Sequence, residues 1–358
     1  MDVPRPAFDP VGAADLNRPL SEHLKLVHQR IRRQEPSIER LDFLLHQPVQ
    51  GQLIPYLSSG QRLSAGAPDR FAHELAVAEL PWLPELVRCR QGLRVATDTF
   101  ALPLLWGQQL QGLLLLRRGD GLELVPDLQD RLACQLELLG SLVAHELSTI
   151  NSLRSAVRMA LQFSGLQDLE TVAHMERVSL YSRLIADGLG RSMALPQDFG
   201  LDLYVFAGLH DIGKVAIPQE ILRKPGSLDA GEQEIARTHV DQGLRLVEQL
   251  VGGFQLVGEG KLQILRNVVA CHHERMDGSG YPLGLRGEQI PLEARIVAVA
   301  DIYDALIQRR HYKQPIGEEE VLAILAVMVE QGSLDRRCVE VLQQAKEQRR
   351  CIRLHWPE

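Results

Sequence analysis

Apolar residues recur at helical spacing from Leu20 to Leu45, which predicts an amphipathic helix over that stretch. GQLIPYLSS, starting at Gly51, and the run from Thr97 to Arg117 change to strand-like patterning. In the second run two apolar segments flank the polar turn at Gly107, Gln108 and Gln109, as in a β-hairpin whose strands are largely buried. Between Asp127 and Leu161, Leu128, Leu132, Leu136, Leu139, Val143, Leu147, Ile150, Leu153 and Val157 follow steps of three and four with no proline, the pattern of one long helix that Gly165 would end. Two readings of it stand: a core helix of the first domain, or a helix that leaves that domain and pairs with a second copy of the chain.

From about residue 166 onward the chain reads as nearly all helix. Apolar faces fall at Val172, Val178, Leu184 and Ile185, then at Ile264, Val268 and Val269, then at Ile296, Val299, Tyr303 and Leu306. The first half, in the order helix, strand, helix, hairpin, long helix, resembles a GAF domain, a small α/β sensory fold. The expected architecture is therefore α+β overall. A flexible lead-in over 1–18 precedes a GAF-like sensory or regulatory domain over 19–125; a long connecting helix over 126–165 leads into an all-α domain over 166–358.

Length agrees, because 358 residues exceed what one core usually organises. A composition of 45% hydrophobic and 24% charged residues points to an ordinary globular protein and against disorder. The formal charge of −7 gives no long-range attraction for duplex nucleic acid, so a phosphate-bearing substrate would need local cations. Cys89, Cys134, Cys271, Cys338 and Cys351 are odd in number, scattered and free of any CxxC pair, which suits a reducing compartment; Cys271 reads as a buried apolar filler. The N-terminus lacks the basic start and apolar run of a signal peptide, and no apolar stretch approaches the roughly 20 residues needed to span a bilayer. The expectation is a cytoplasmic protein with no membrane partner.

The chemistry sits where polar residues interrupt the apolar helices. His210 and Asp211 are adjacent after an apolar stretch, and such a pair at a helix end can turn both groups toward one ion. Alone, an HD dipeptide is a chance pair on a solvated turn. Here it is joined by Glu170 and His174 in ETVAH, one turn apart and on one face, by His239, by His272 and His273, and by Asp301, on separate predicted helices. A single histidine on an apolar helix is an ordinary core residue. Five of the 12 histidines with three carboxylates are hard to satisfy that way, and their convergence predicts a cluster of bound cations. Nitrogen and oxygen donors suit Fe, Mn, Zn, Co or Ni and disfavour a closed thiolate site. A plainer reading of Glu170 is a surface pair with Arg177, which would leave His174 alone in the cluster.

Over about 166 to 345 the chain resembles the HD-GYP family, a branch of the HD-domain phosphohydrolases. The motifs are HDIGKVAIP at 210–218, KPG at 224–226, HHERMDGSGYP at 272–282, IPLEARIVAVADIYDAL at 290–306 and RHYK at 310–313. The resemblance implies an all-helical domain that cleaves cyclic di-GMP to a linear dinucleotide (pGpG) or to GMP at two or three metal ions, iron foremost. By matching position it implies Glu170, His174, His210, Asp211, His239, His272, His273 and Asp301 as ligands, Glu170 belonging to a third ion. Asp211 and Lys214 would be catalytic, with Lys214 also against the scissile phosphate, Tyr281 in the substrate loop, and Arg310 and Lys313 on the substrate's phosphates. Val240, Ile307 with Gln308, His311, and LDR at 334–336 depart from the family pattern, and none removes a ligand. Other readings stay open: hydrolysis of another nucleotide such as a dNTP or a guanosine polyphosphate, cleavage of another cyclic dinucleotide, cyclic GMP-AMP, and a non-catalytic cyclic-dinucleotide receptor acting through partner proteins. A small-molecule or protein signal at the N-terminal domain, and a homodimer through the long helix, complete the expected partners.

Overall fold

Pro36 decides the first boundary of the fold. A proline has no N–H to donate, and its ring pushes the preceding residue out of the helical region, so a helix running toward it must stop. In the computed structural model α1 is Leu20–Gln34 and IERLDFLLHQ is strand β1, Ile38–Gln47. The single helix expected from Leu20 to Leu45 is thus a helix and a strand. The apolar residues of β1 mimic helical spacing because both of its faces are covered: Ile38, Leu41, Phe43 and Leu44 are all buried. The structure describes residues 20–47, 52–59, 75–106, 109–118, 132, 135, 138–143, 152, 155, 159, 172–190, 192–193, 195–196, 198–253, 259–308 and 317–357. The lead-in over 1–18, the hairpin turn at Gly107 and Gln108, Gly165, Glu170, Arg310, His311 and Lys313 lie outside them.

The chain divides into two compact units, Met1–Leu147 and Ser148–Glu358. In the first, β1, β2 (Gln52–Ser58), β3 (Leu75–Ala76), β4 (Leu93–Arg94), β5 (Thr99–Trp106) and β6 (Gln109–Arg118) form one antiparallel sheet in the order β3-β2-β1-β6-β5-β4, with helix α2 over Leu83–Cys89. The expected hairpin is β5–β6, paired from Thr99↔Arg117 to Trp106↔Gln109. Pro103 is tolerated in β5 because β4 pairs only at Leu93 and Arg94, leaving the outer edge of β5 open beside the proline. β6 reads LLLL because it is covered on both faces: Leu113 and Leu115 pack with Leu83 and Leu86 of α2, and Leu114 and Leu116 are buried on the opposite face. Within the predicted long helix the described positions are helical; Leu132, Leu139 and Val143 are buried, and Met159 is exposed.

Among the described residues of the second unit every regular element is helical. These are α3 (Val172–Leu189), α4 (Phe199–Phe206), 3-10 turns over Ala207–Leu209 and Ile212–Ala216, α5 (Gln219–Leu222), α6 (Ala230–Arg237), α7 (His239–Gly253), α8 (Glu259–Cys271), α9 (Leu292–Ile307), α10 (Glu318–Glu330), α11 (Arg336–Gln344) and α12 (Lys346–His355). Helix α9 is the central rod. Ala294 and Ile296 to Ala300 are buried in succession, as a helix apolar on all sides requires. Tyr303 meets Tyr181 of α3 edge to face at 5.0 Å, and Val178, Ile185, Val268, Val321, Leu325 and Leu342 fill the same core. Val172, expected on the buried face of α3, is exposed at the helix start. Among the described residues, no helix is long and apolar enough to cross a membrane.

The last helix is tied to this core through Glu318. Its carboxylate accepts from Arg353 Nη1 and Nη2 at 2.7 and 2.9 Å, from Arg349 Nε at 2.9 Å and from the Tyr303 hydroxyl at 2.9 Å. Arg353 above all, with Arg349 and Tyr303, holds the carboxyl down to about 2 from an ordinary 4.5. A carboxylate depressed in the fold contributes stability above its unfolded pKa and loses it as pH falls toward the folded value. Glu318→Gln should therefore cost about 2 kcal/mol near neutral pH. The gap from wild type should stay constant down to about pH 4.5 and close between there and about pH 2. Urea titrations across that range read it, and a gap that persists at the acid end would contradict the assignment.

Candidate metal centre

Two glycines set the spacing of the site. A Cβ on Gly213 would lie 1.8 Å from the His239 carbonyl oxygen and 2.4 Å from Gly243 N, so only glycine lets the 3-10 turn after Asp211 press against the start of α7. That contact brings Asp211 beside His239. Likewise a Cβ on Gly280 would lie 2.4 Å from Arg275 N and 2.5 Å from the His273 carbonyl oxygen, so the GYP loop lies directly on the His272–Arg275 backbone.

The histidines sit at helix ends, and three use one device. His210 Nδ1 donates to the Ala207 carbonyl at 2.8 Å, His239 Nδ1 to Ala236 at 2.8 Å, and His272 Nδ1 to Val268 at 3.0 Å. Carbonyls only accept, so each Nδ1 carries a hydrogen and each ring turns its Nε2 toward the site. His174, in the first turn of α3, has a carboxylate in the same role: its Nδ1 lies 2.8 Å from Asp304 Oδ2.

Two groups of donors result, one of Asp211, His239, His272 and His273 and another of His174, His210 and Asp301. His210 and Asp211 fall in different groups but stay 3.2 Å apart, and Asp211 forms the joint between the two. Asp211 Oδ1 faces His239 Nε2 at 3.1 Å and His272 Nε2 at 3.6 Å, while Oδ2 lies 3.2 Å from His210 Nε2 and 2.6 Å from Lys214 Nζ. His174 and His210 reach Asp301 Oδ1 at 3.7 and 3.8 Å.

These contacts test whether metal ions fit. Burial, with the neighbouring imidazoles, pushes His272 and His273 down, so both rings are neutral. Burial alone would raise Asp211, but the Lys214 ammonium and His210 outweigh it and hold the carboxyl well below the usual range. Asp211 Oδ1 therefore faces the lone pair of the neutral His272 ring at 3.6 Å, acceptor against acceptor. Asp211 Oδ1, His239 Nε2 and His272 Nε2 are buried and make no hydrogen bond. Such an arrangement is costly unless a cation lies between the groups. The donor set fits nitrogen- and oxygen-preferring divalent metals.

The GYP loop carries the aromatic wall. Tyr281 stacks on His273 with centroids 4.6 Å apart and planes 25° from parallel, and burial, with the Asp211 charge, pushes its phenol up to about 12. The loop is pinned by Glu274, which is buried and accepts from Leu283 N at 2.7 Å and Leu285 N at 3.0 Å. Cys271 is buried with Ile290 and Ala294, as the filler reading expects.

Sequence reasoning missed three residues. Glu274 is one; its signal was a carboxylate directly after paired histidines. Asp304 and Arg177 are the others: Arg177 Nε and Nη2 donate to the two Asp304 oxygens at 2.7 and 3.0 Å, and Nη1 donates to the Trp356 carbonyl at 2.9 Å. Arg177 is thus buried, not the surface base proposed for Glu170. Of the sequence-derived site residues, the structure brings together His174, His210, Asp211, Lys214, His239, His272, His273, Tyr281 and Asp301; Glu170, Arg310 and Lys313 lie outside the described residues.

Comparison with known proteins matches residues 154–338 to the HD domain family, more than half of the chain. A protein of Vibrio cholerae named probable cyclic di-GMP phosphodiesterase is 39% identical over 207 residues, covering 55% of this chain and 46% of its own length. A second Vibrio cholerae protein, named 3'3'-cGAMP-specific phosphodiesterase 2, is 38% identical over 193 residues, covering 53% of this chain and 34% of its own length. The chain thus spans less than half the length of either relative. Among solved structures, a GAF domain/HD domain protein of Geobacter sulfurreducens covers 36% of this chain and 95% of that one at a TM-score of 0.30 and 18% identity, a likeness too low to carry an assignment. With the HD pair at the joint of two donor groups and the matching motif spanning most of the helical unit, the chain belongs to the HD-domain family.

Proposed function

We propose that the helical unit hydrolyses a phosphodiester bond of a cyclic dinucleotide, with cyclic di-GMP as substrate and pGpG or GMP as product, at a two- or three-metal centre. The observation that carries this reading is the pair of donor groups joined at Asp211, with the Lys214 ammonium bonded to the same carboxylate. Metal ions held there, iron foremost, with Mn, Zn, Ni or Co as alternatives, would polarise a phosphoryl oxygen and make a water acidic enough to attack near neutral pH. Asp211, His239, His272 and His273 would hold one ion, and His174, His210 and Asp301 another. Glu170 would supply a third, with Arg310 and Lys313 on the phosphates.

The chain's own groups do the rest. Lys214, fixed by Asp211, places a positive charge where the phosphorane develops negative charge. The neutral rings of His272 and His273 present lone pairs at no deprotonation cost. Tyr281, kept protonated, offers an O–H donor beside the site, on a loop that Glu274 holds in place. Incubating the purified, metal-loaded chain with cyclic di-GMP and resolving the products tests the reading directly. A second reading, cleavage of 3'3'-cyclic GMP-AMP, is favoured by the name of one relative, and the same assay on both dinucleotides separates the two.

The N-terminal unit would be the regulator, receiving a small-molecule or protein signal and acting through the segment over 126–165 that the sequence predicts as a connecting helix. A chain lacking residues 1–125 should bind metal and turn over cyclic di-GMP at a rate changed by about tenfold, which corresponds to about 1.4 kcal/mol. Kinetics and oligomeric state identical to the full chain would contradict regulation.

A further inference from the structure

One cation beside the site has no role so far. Arg237, exposed at the end of α6, holds its guanidinium carbon 4.9 Å from the Tyr281 ring centroid. Tyr281 lies 4.6 Å from His273, and His273 lies 4.0 Å from His272. Ring by ring, a stack leads from the buried donor groups out to an exposed guanidinium. Arg237 is also two residues before His239. Thr238 Oγ1, donating to the Ile235 carbonyl at 2.6 Å, and His239 Nδ1, donating to Ala236, fix the backbone between α6 and α7, so the cation is placed by the same joint that places a metal-type donor.

Its surroundings contrast with those of several arginines of the same unit. Arg177, Arg295 and Arg349 of the helical unit are bonded to Asp304, Asp335 and Glu318, and half-buried Arg266 is bonded to Glu248. Arg237 has no carboxylate partner among the described residues. Stacking on an aromatic face uses the plane of a guanidinium and leaves its in-plane N–H donors for an acceptor, and the acceptor that matches that fork and charge is a phosphate. A cyclic dinucleotide carries two phosphates, so one held at the metal centre leaves another for a cation at the rim.

We propose that Arg237, held over the Tyr281 ring, binds a phosphate of the dinucleotide at the rim of the site, setting substrate affinity without entering the bond-breaking step. This rests on the phosphodiesterase reading. The experiment compares wild type, Arg237→Gln and Arg237→Lys, metal-loaded, with cyclic di-GMP. In Arg237→Gln, KM should rise at least tenfold with kcat within about twofold and metal content unchanged; Arg237→Lys, which keeps the charge, should stay within about threefold of wild type in KM. A KM for the glutamine variant within twofold of wild type overturns the proposal, as does a lysine variant as weak as the glutamine one. If wild type binds cyclic di-GMP without hydrolysing it, the phosphodiesterase reading fails and the same criteria are applied to Kd by equilibrium dialysis. A wild type that neither binds nor cleaves it overturns both.

Discussion

Asp211→Asn should lower turnover of cyclic di-GMP by about 1,000-fold or more and abolish the stabilisation that added metal gives the wild type. The two effects share one cause. In the native site a carboxylate oxygen faces the buried Nε2 atoms of His239 and His272 at 3.1 and 3.6 Å with no hydrogen bond to either, an arrangement that a cation between them satisfies. With metal added, the variant lacks the one anion that joins the two donor groups, and losing several kcal/mol of charge stabilisation in the transition state amounts to roughly three powers of ten in rate. Melting curves with and without added metal check this. Wild type should be stabilised by metal and the variant should not. A variant that metal stabilises as much as wild type would contradict the role of Asp211 as the joint of the two donor groups.

The second large effect is expected at Arg177. Arg177→Met leaves Asp304 buried with its bidentate partner gone, and breaking one side of a buried pair costs about 3–5 kcal/mol. For a unit of this size that is on the order of 10 °C in melting temperature. Replacing both partners, Arg177→Met with Asp304→Leu, removes the stranded charge and should recover most of the loss. Metal binding should not recover with it. His174 Nδ1 would have lost the carboxylate that orients the ring, and removal of such a supporting group typically weakens metal affinity by about 10- to 100-fold. Stability and metal affinity thus separate in the double variant. A double variant that binds metal as tightly as wild type would show that Asp304 serves packing alone.

Most of the donor set was legible in the sequence because its motifs are local. An adjacent HD pair, paired histidines before a glycine-rich loop, and carboxylates on an apolar helix each announce polar chemistry where a core should be. What escaped is what depends on long separation. Asp304 supports His174 from 130 residues away, and Arg177 reaches a backbone carbonyl at Trp356, for which a sequence carries no signal at all. The division of His210 and Asp211 between two groups was hidden for a related reason: adjacency fixes that both residues are near, but the fold decides which way each side chain turns. In the N-terminal unit the error at β1 came from periodicity itself. A strand buried on both faces shows continuous apolar residues that satisfy a helical template as well as a strand, and the proline that settles the matter sits at one position only. The β5–β6 hairpin escaped that ambiguity because two matched apolar runs flank a short polar turn.

The central claim, that the helical unit is a metal-dependent phosphodiesterase, is tested most directly by loading the purified full-length chain with iron or manganese under anaerobic conditions, counting the bound ions, and following cyclic di-GMP over time by chromatography. The account predicts two or three ions per chain, conversion of the cyclic dinucleotide to its linear form or to GMP, and loss of that conversion when a chelator removes the metal. A fully metal-loaded chain that binds cyclic di-GMP and returns it intact would contradict it and make the protein a receptor.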